Sequence, residues 1–201
     1  MNKRKEKTVL VKSLNFLGSF LIVVSLAGIF LTFGPAIKEE VKYQTGNILE
    51  IDRELNPPNT DFSVVIPKIA AAAPVFADTD PFDSAKYLPV LRKGVAHAKG
   101  TSYPGEPGNT YLFAHSTDAF YNVGKYNAVF YLLGKLKKGD EIDVYYQGEK
   151  IIYIVDSVKV VEPGDVKYLG KIGEGKTLTL QTCYPPGTTL KRLVVVADQQ
   201  N

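Results

Sequence analysis

Uncharged residues run without a break from Ser13 to Ile37, SLNFLGSFLIVVSLAGIFLTFGPAI, and the run shows no polar face. A helix of that length crosses a hydrocarbon core of about 30 Å, so the pattern predicts one N-terminal transmembrane helix. After it the texture changes. Residues 38–60, KEEVKYQTGNILEIDRELNPPNT, are polar and end in Pro57-Pro58-Asn59, which predicts a stalk or short helix running into a linker. From there onward apolar residues come in short runs and alternations of strand length.

Phe62–Pro67 predicts a first strand, Pro74–Phe76 a short second one, Asp78–Asp83 a polar turn and Ser84–Leu91 a short helix. Residues 94–109, GVAHAKGTSYPGEPGN, are dense in Gly and Pro and predict a loop. That loop delivers the chain into Thr110–Ala114, a buried strand with His115 at its end. Asp118–Leu136 mixes polar and aromatic residues, with a short helix expected around Val129–Leu133 and a turn at Lys137–Asp140. Glu141–Tyr146 and Lys150–Val155 flank Gln147-Gly148, the composition of a two-residue hairpin turn, and Val158–Val161 resumes the sheet after Asp156-Ser157. Glu162–Lys176 is a Gly-rich polar connection. The chain then alternates through Thr177, Leu178, Thr179 and Leu180 to Cys183, turns at Tyr184-Pro185-Pro186-Gly187 and returns as the strand Leu193–Ala197, with Arg192 at its mouth.

About eight strands, only brief helices and no internal repeat predict a mainly β protein, a closed or nearly closed eight-stranded barrel behind one transmembrane helix. Four segments follow: a basic tail at 1–12, a signal anchor at 13–37, a stalk and linker at 38–60, and the barrel at 61–201.

Composition sharpens this picture in two places. The formal net charge is +3, but residues 1–12 alone carry +4, so the remainder is close to neutral. A near-neutral barrel lacks the basic face that nucleic acid requires. Basic residues before the apolar run, with Glu39 and Glu40 after it, predict a cytoplasmic N-terminus and an exported barrel. The apolar run is longer than a signal-peptide core, and no small-x-small site precedes the charged stretch, so a retained anchor is expected rather than a cleaved leader.

The second place is Cys183, the one cysteine of the chain. Buried free cysteine is often a small core residue. In an exported chain, however, structural cysteines come in pairs, and a single thiol is either cross-linked between chains or reactive. Two residues supply what a reactive thiol needs. His115 can take and return a proton, and the guanidinium of Arg192 can stabilise an oxyanion or clamp a substrate carbonyl. Cysteine itself is a better nucleophile than a hydroxyl toward an amide. His97, between alanines in the Gly-rich approach, is the other histidine, and the residues alone leave its role open. Without a second cysteine or clustered histidines no metal site is expected, and no cofactor is implied.

These residues also resemble a known family, the sortases, membrane-anchored cysteine transpeptidases. TLTLQTC at 177–183 is similar to the family's strand ending in Thr-Cys, and LKRLVVVA at 190–197 to its arginine-bearing strand. NTYLFAHS at 109–116 resembles the Gly-Asn-x-x-x-x-x-His segment that supplies the catalytic histidine, and VVIPKI with APV resembles the opening strands. The resemblance, from about residue 61 to the C-terminus, implies a sortase-like catalytic barrel. It implies Cys183 as nucleophile, His115 as acid and base, Arg192 as oxyanion and substrate-positioning residue, and Thr182 as a substrate-binding position. It further implies cleavage of a C-terminal Leu-Pro-x-Thr-Gly-like sorting motif between Thr and Gly, through a thioacyl enzyme. The acyl group would then pass to an amine of a cell-wall precursor or a pilin lysine, with only a fraction of molecules carrying thiolate and imidazolium together.

Asp80-Pro81-Phe82 is reminiscent of the lid of pilin-polymerising sortases, but it follows the opening strands where a lid would precede them, and it is read as a turn. Glu106, Asp140, Glu141, Asp165 and Glu174 include the carboxylates that a calcium site would need, but nothing gathers six oxygens around one ion. Two rival functions remain: an L,D-transpeptidase-like cell-wall cross-linker, which would want a Ser-His-Gly-Cys-like cluster around the thiol, and a membrane-tethered binding barrel with an inert cysteine.

Overall fold

The computed structural model describes residues 2–48, 55–116, 128–170 and 175–200. Helix α1 (Asn2–Ile48) leads the chain and contains, at Lys12–Phe30, a stretch long and apolar enough to cross a membrane, with a mean hydropathy of 2.0. None of that stretch is buried against the rest of the protein, unlike the core helix of a globular domain. The helix continues past Ile37 without a break, so the first part of the expected stalk, to Ile48, is helical.

The remainder is a closed barrel of eight strands: β1 (Phe62–Ile66), β2 (Ala71–Thr79), β3 (Val95–Ala98), β4 (Gly108–Phe113), β5 (Glu141–Tyr146), β6 (Glu149–Val161), β7 (Lys176–Tyr184) and β8 (Lys191–Gln199). Around the barrel they run β1-β2-β3-β4-β7-β8-β6-β5, and β5 pairs with β1 to close it. The β2–β3 and β4–β7 pairs are parallel and the others antiparallel. Helix α2 (Ser84–Leu91) joins β2 to β3, and a 3-10 turn at Val166–Leu169 lies between β6 and β7.

Four local expectations change. The Gly-rich loop holds a strand, β3, whose Val95–Ala98 is short and alanine-rich; pairing on both sides, not propensity, makes it a strand. β2 reaches Thr79, through two residues of the expected polar turn. Lys150–Val155 and Val158–Val161 form one strand, because Asp156-Ser157 is absorbed as an irregularity in the β6–β8 ladder between Val155 and Ser157. The helix expected around Val129–Leu133 is instead a run of turn ending in a 3-10 turn at Leu133–Lys135, and the first part of that stretch, 118–127, lies outside the described residues. The Gln147-Gly148 hairpin forms as expected, with both residues at positive φ, 51° and 87°, which is the backbone a two-residue turn of this hand requires.

Alternation sorts each strand into two faces. Leu178 and Leu180 of β7, Leu112 of β4 and Leu193, Val195 and Ala197 of β8 fill the barrel with Phe130, Leu133, Ile142 and Tyr153. The residues between them point outward, and there a second apolar layer forms. Tyr111, Phe113, Val194 and Val196 of the sheet pack with Leu91 of α2 and Tyr168 of the 3-10 turn. The outside of β4, β7 and β8 is therefore a floor with α2 and the 166–169 turn standing on it.

Candidate active site

Cys183 shares the phase of Thr177, Thr179 and Gln181, opposite to that of the interior residues Leu178 and Leu180, so its thiol belongs to the outer floor. In the antiparallel β7–β8 ladder its direct partner is Arg192. Side chains so paired have Cβ atoms roughly 5 Å apart. On the other side of β7, the parallel register sets Phe113 against Gln181, and the pairing extends one step further as the Ala114 N–H donates to the Gln181 carbonyl at 3.1 Å. The next residue, His115, thereby comes level with Cys183. The three candidate residues occupy one row across the ends of three neighbouring strands.

Two members of the row make further hydrogen bonds. The His115 carbonyl accepts from the Phe130 N–H at 3.3 Å. Arg192 Nη1 donates to the carbonyls of Thr189 and Lys191, both at 3.0 Å, bracing the loop between β7 and β8. Thr182 does not join the row. It lies in the interior phase, is buried, and donates its hydroxyl to the Ala114 carbonyl at 2.9 Å. That bond ties β7 to β4 one residue before both Cys183 and His115.

The electrostatics of Cys183 are a contest. Burial raises the thiol above its ordinary range, and the nearby Arg192 charge draws it back down. Two residues before Cys183 on the same face, Gln181 accepts a hydrogen bond at its Oε1 from the Tyr111 hydroxyl. Burial also holds Tyr111 firmly in its protonated form. Neither residue was singled out from the sequence, although alternation along β7 does put Gln181 on the face of Cys183.

His97 lies elsewhere. It points into the barrel from β3, fully buried, against Tyr103 (ring centroids 4.9 Å apart) and Phe62 (5.8 Å). Its Nδ1 accepts from the Asp78 N–H at 3.4 Å, and Nε2 is 3.2 Å from the Ser102 carbonyl, an arrangement that one neutral tautomer satisfies.

Asp80-Pro81-Phe82 forms a turn into α2. Asp80 accepts from the Phe82 N–H at 3.0 Å, Asp83 caps the helix through the Ala85 N–H at 3.0 Å, and Lys86 pairs with both carboxylates. The acidic residues weighed for calcium are dispersed in local roles: Glu106 accepts from the Tyr103 N–H, while Asp140, Glu141 and Asp165 pair with Lys68, Lys150 and Lys167. Glu174 lies outside the described residues. Among the described residues no three His, Cys, Asp or Glu side chains gather as a metal site would require.

A model of the sortase domain matches residues 64–200, from within β1 to the end of β8. The chain belongs to the sortase family. It is 32% identical over 133 residues to Sortase D of Bacillus subtilis (strain 168), a match covering 65% of this chain and 59% of that protein. Among solved structures, Sortase C1 of GBS Pilus Island 1 is 31% identical with a TM-score of 0.58, the match covering 70% of this chain and 64% of that one. Sortase C-1 from Actinomyces oris is 28% identical with a TM-score of 0.60, covering 82% of this chain and 98% of that one. The sortase barrel is thus common to the group, while the chain spans less than two thirds of the Bacillus relative.

Proposed function

We propose that this sortase is a cysteine transpeptidase in which Cys183, His115 and Arg192 do the chemistry. The observation carrying this reading is the direct pairing of Cys183 with Arg192 on the outer floor, with His115 just past the end of the adjacent strand β4. The substrate is a protein with a C-terminal Leu-Pro-x-Thr-Gly-like sorting motif. Cys183 Sγ attacks the Thr carbonyl carbon, the thiol proton passes to His115, and the Arg192 guanidinium faces the oxyanion. Collapse breaks the Thr–Gly bond, and the leaving amine takes its proton from His115. A second amine, on a cell-wall precursor or a pilin lysine, then attacks the thioester and releases the thiol. Burial raises the Cys183 thiol, in keeping with a resting site that carries little thiolate.

The basic N-terminal tail lies in the cytoplasm, the apolar part of α1 spans the membrane once, and the barrel is outside, with the segment up to residue 60 as its spacer. A binding barrel would have no use for a half-buried thiol paired with a guanidinium, and an L,D-transpeptidase-like cross-linker lacks support from the Leu180-Gln181-Thr182-Cys183 surroundings of the thiol.

The test uses the full chain in detergent micelles with a quenched Leu-Pro-x-Thr-Gly-type peptide library and an amine acceptor, beside Cys183→Ala. Mass spectrometry should find a thioacyl adduct on Cys183 and transpeptidised product, both absent in the variant. A folded protein that forms neither with any peptide refutes the reading.

A further inference from the structure

The outer face of β7 carries polar residues at each step before Cys183, and the first two meet a single partner. Thr179, buried, donates its hydroxyl to Asn109 Oδ1 at 2.9 Å, and the buried Thr177 hydroxyl is shared between Asn109 Oδ1 at 3.1 Å and the Gly108 carbonyl at 3.2 Å. The same side chain donates from Nδ2 to the Tyr168 carbonyl at 2.6 Å. Asn109 is 3% exposed and belongs to β4, whereas Tyr168 belongs to the 3-10 turn between β6 and β7. One buried amide therefore fastens the 166–169 turn to β4, which leads to His115, and to β7, which carries Cys183.

The geometry admits few substitutes. Removing the amide would strand the Thr179 hydroxyl and the Tyr168 carbonyl in a buried place, which costs more than either bond contributes. The residue before it, Gly108, has φ +118°, a backbone that favours glycine and aims the next residue into this junction. Above the junction Tyr168 and Leu169 pack with Tyr111, Val194 and Val196. Across the floor, α2 stands opposite, with Tyr87 edge-on to Phe113 at 5.9 Å. Tyr111, Phe113, Val194 and Val196 are buried beneath these two walls, and the same face of β7 runs on to the half-buried Gln181 and Cys183.

We infer that Asn109 is a positioning residue for peptide binding: it sets the height of the 166–169 wall above the floor that ends in Cys183, without touching the reacting atoms. The inference rests on the transpeptidase reading and adds a wall to it. Asn109→Asp separates the two jobs of the amide. Ionised, its carboxylate still accepts from Thr179 but sets an oxygen against the Tyr168 carbonyl, releasing the wall; protonated, it donates there and restores the tie, so the effect should grow as pH rises.

The experiment uses the full chain in detergent micelles, wild type beside Asn109→Asp. It measures steady-state transpeptidation of a quenched Leu-Pro-x-Thr-Gly-type peptide, iodoacetamide alkylation of Cys183, and amide exchange by mass spectrometry. Asn109→Asp should raise KM about tenfold, the equivalent of one neutral hydrogen bond, with kcat and the alkylation rate within about twofold of wild type. Amides at 165–170 should exchange at least about tenfold faster while those of β4 and β7 hold their protection. Should the variant fail to fold, wild type alone decides: saturating peptide must protect the 165–170 amides from exchange. Unchanged exchange in the variant, a fall in kcat at constant KM, or no protection by a peptide that is turned over would each overturn the inference. If wild type forms neither adduct nor product, it is the transpeptidase reading that fails, and the exchange comparison still decides whether Asn109 holds the wall.

Discussion

The hydroxyl of Thr182 donates to the carbonyl of Ala114 at 2.9 Å, so the residue before the cysteine is fastened to the residue before the histidine. The bond is buried and spans 68 residues of chain. It is the direct tie behind the row of Cys183 and His115, and it works from the barrel side of the sheet.

Thr182→Val keeps the volume and removes the donor. The buried Ala114 carbonyl then loses its side-chain partner, at a cost of about 1–3 kcal/mol. Urea unfolding should register that loss. Transpeptidation should fall in kcat more than in KM, because the spacing of thiol and imidazole loosens while the walls stay in place. Thr182→Ser, which restores the donor, should recover most of both.

Arg192 opposes the effect of burial on Cys183. A positive charge favours the thiolate, so removing it must raise the thiol further. In Arg192→Ala the iodoacetamide rate profile should shift to higher pH than in wild type. Arg192→Lys should hold the profile near wild type yet lose activity, since an ammonium lacks the planar fork of the guanidinium. A profile that stays put in Arg192→Ala would remove Arg192 from the electrostatics of the thiol.

His97 gives the barrel a pH dependence separate from the reaction. Burial lowers its folded pKa, with the Ser102 carbonyl and the charges of Asp78 and Glu106 partly opposing. The unfolded chain therefore binds a proton near pH 6.5 that the folded chain still refuses. The sign is fixed: stability is full above about pH 6.5 and falls as pH drops below it, by up to about 1.4 kcal/mol per unit until the folded pKa is reached. Urea midpoints at pH 7.5 and 5.0 measure it, and His97→Gln should flatten that difference.

Asp143 on β5 tilts the other way. It is buried, and burial raises its folded pKa, while Lys150 at 2.9 Å pulls it down and Glu141 adds to the rise. Lys150→Met leaves the carboxylate without its cation. Because the Lys150 side chain is 41% exposed, the cost should be about 1–3 kcal/mol at neutral pH, less than for a fully buried pair. A raised folded pKa means that the folded state holds the proton longer, so the deficit should shrink as pH falls toward 4. Thermal melts of Lys150→Met at pH 7.5 and 4.5 measure the difference.

Much of this protein was determined by its sequence alone, wherever the governing physics is local. An uncharged run long enough to span a bilayer, the apolar run of β1, the alternation of β5, the Gln147-Gly148 turn and the helix at Ser84–Leu91 each follow from neighbours within a few residues. Alternation also separates Cys183 from Leu180 and Thr182 onto opposite faces of β7. Tertiary structure decided the rest. Val95–Ala98 is a strand only because β2 and β4 lie on either side of it. Asp156-Ser157 reads as a break in composition, yet β8 carries the ladder past it. The level placement of His115 beside Cys183 depends on a parallel pairing of β4 with β7, which no local pattern encodes. The amide of Asn109 meets Tyr168 across 59 residues and Thr179 across 70. Hydrogen bonds over such distances exist only after the barrel has closed, because closure alone brings their partners within reach.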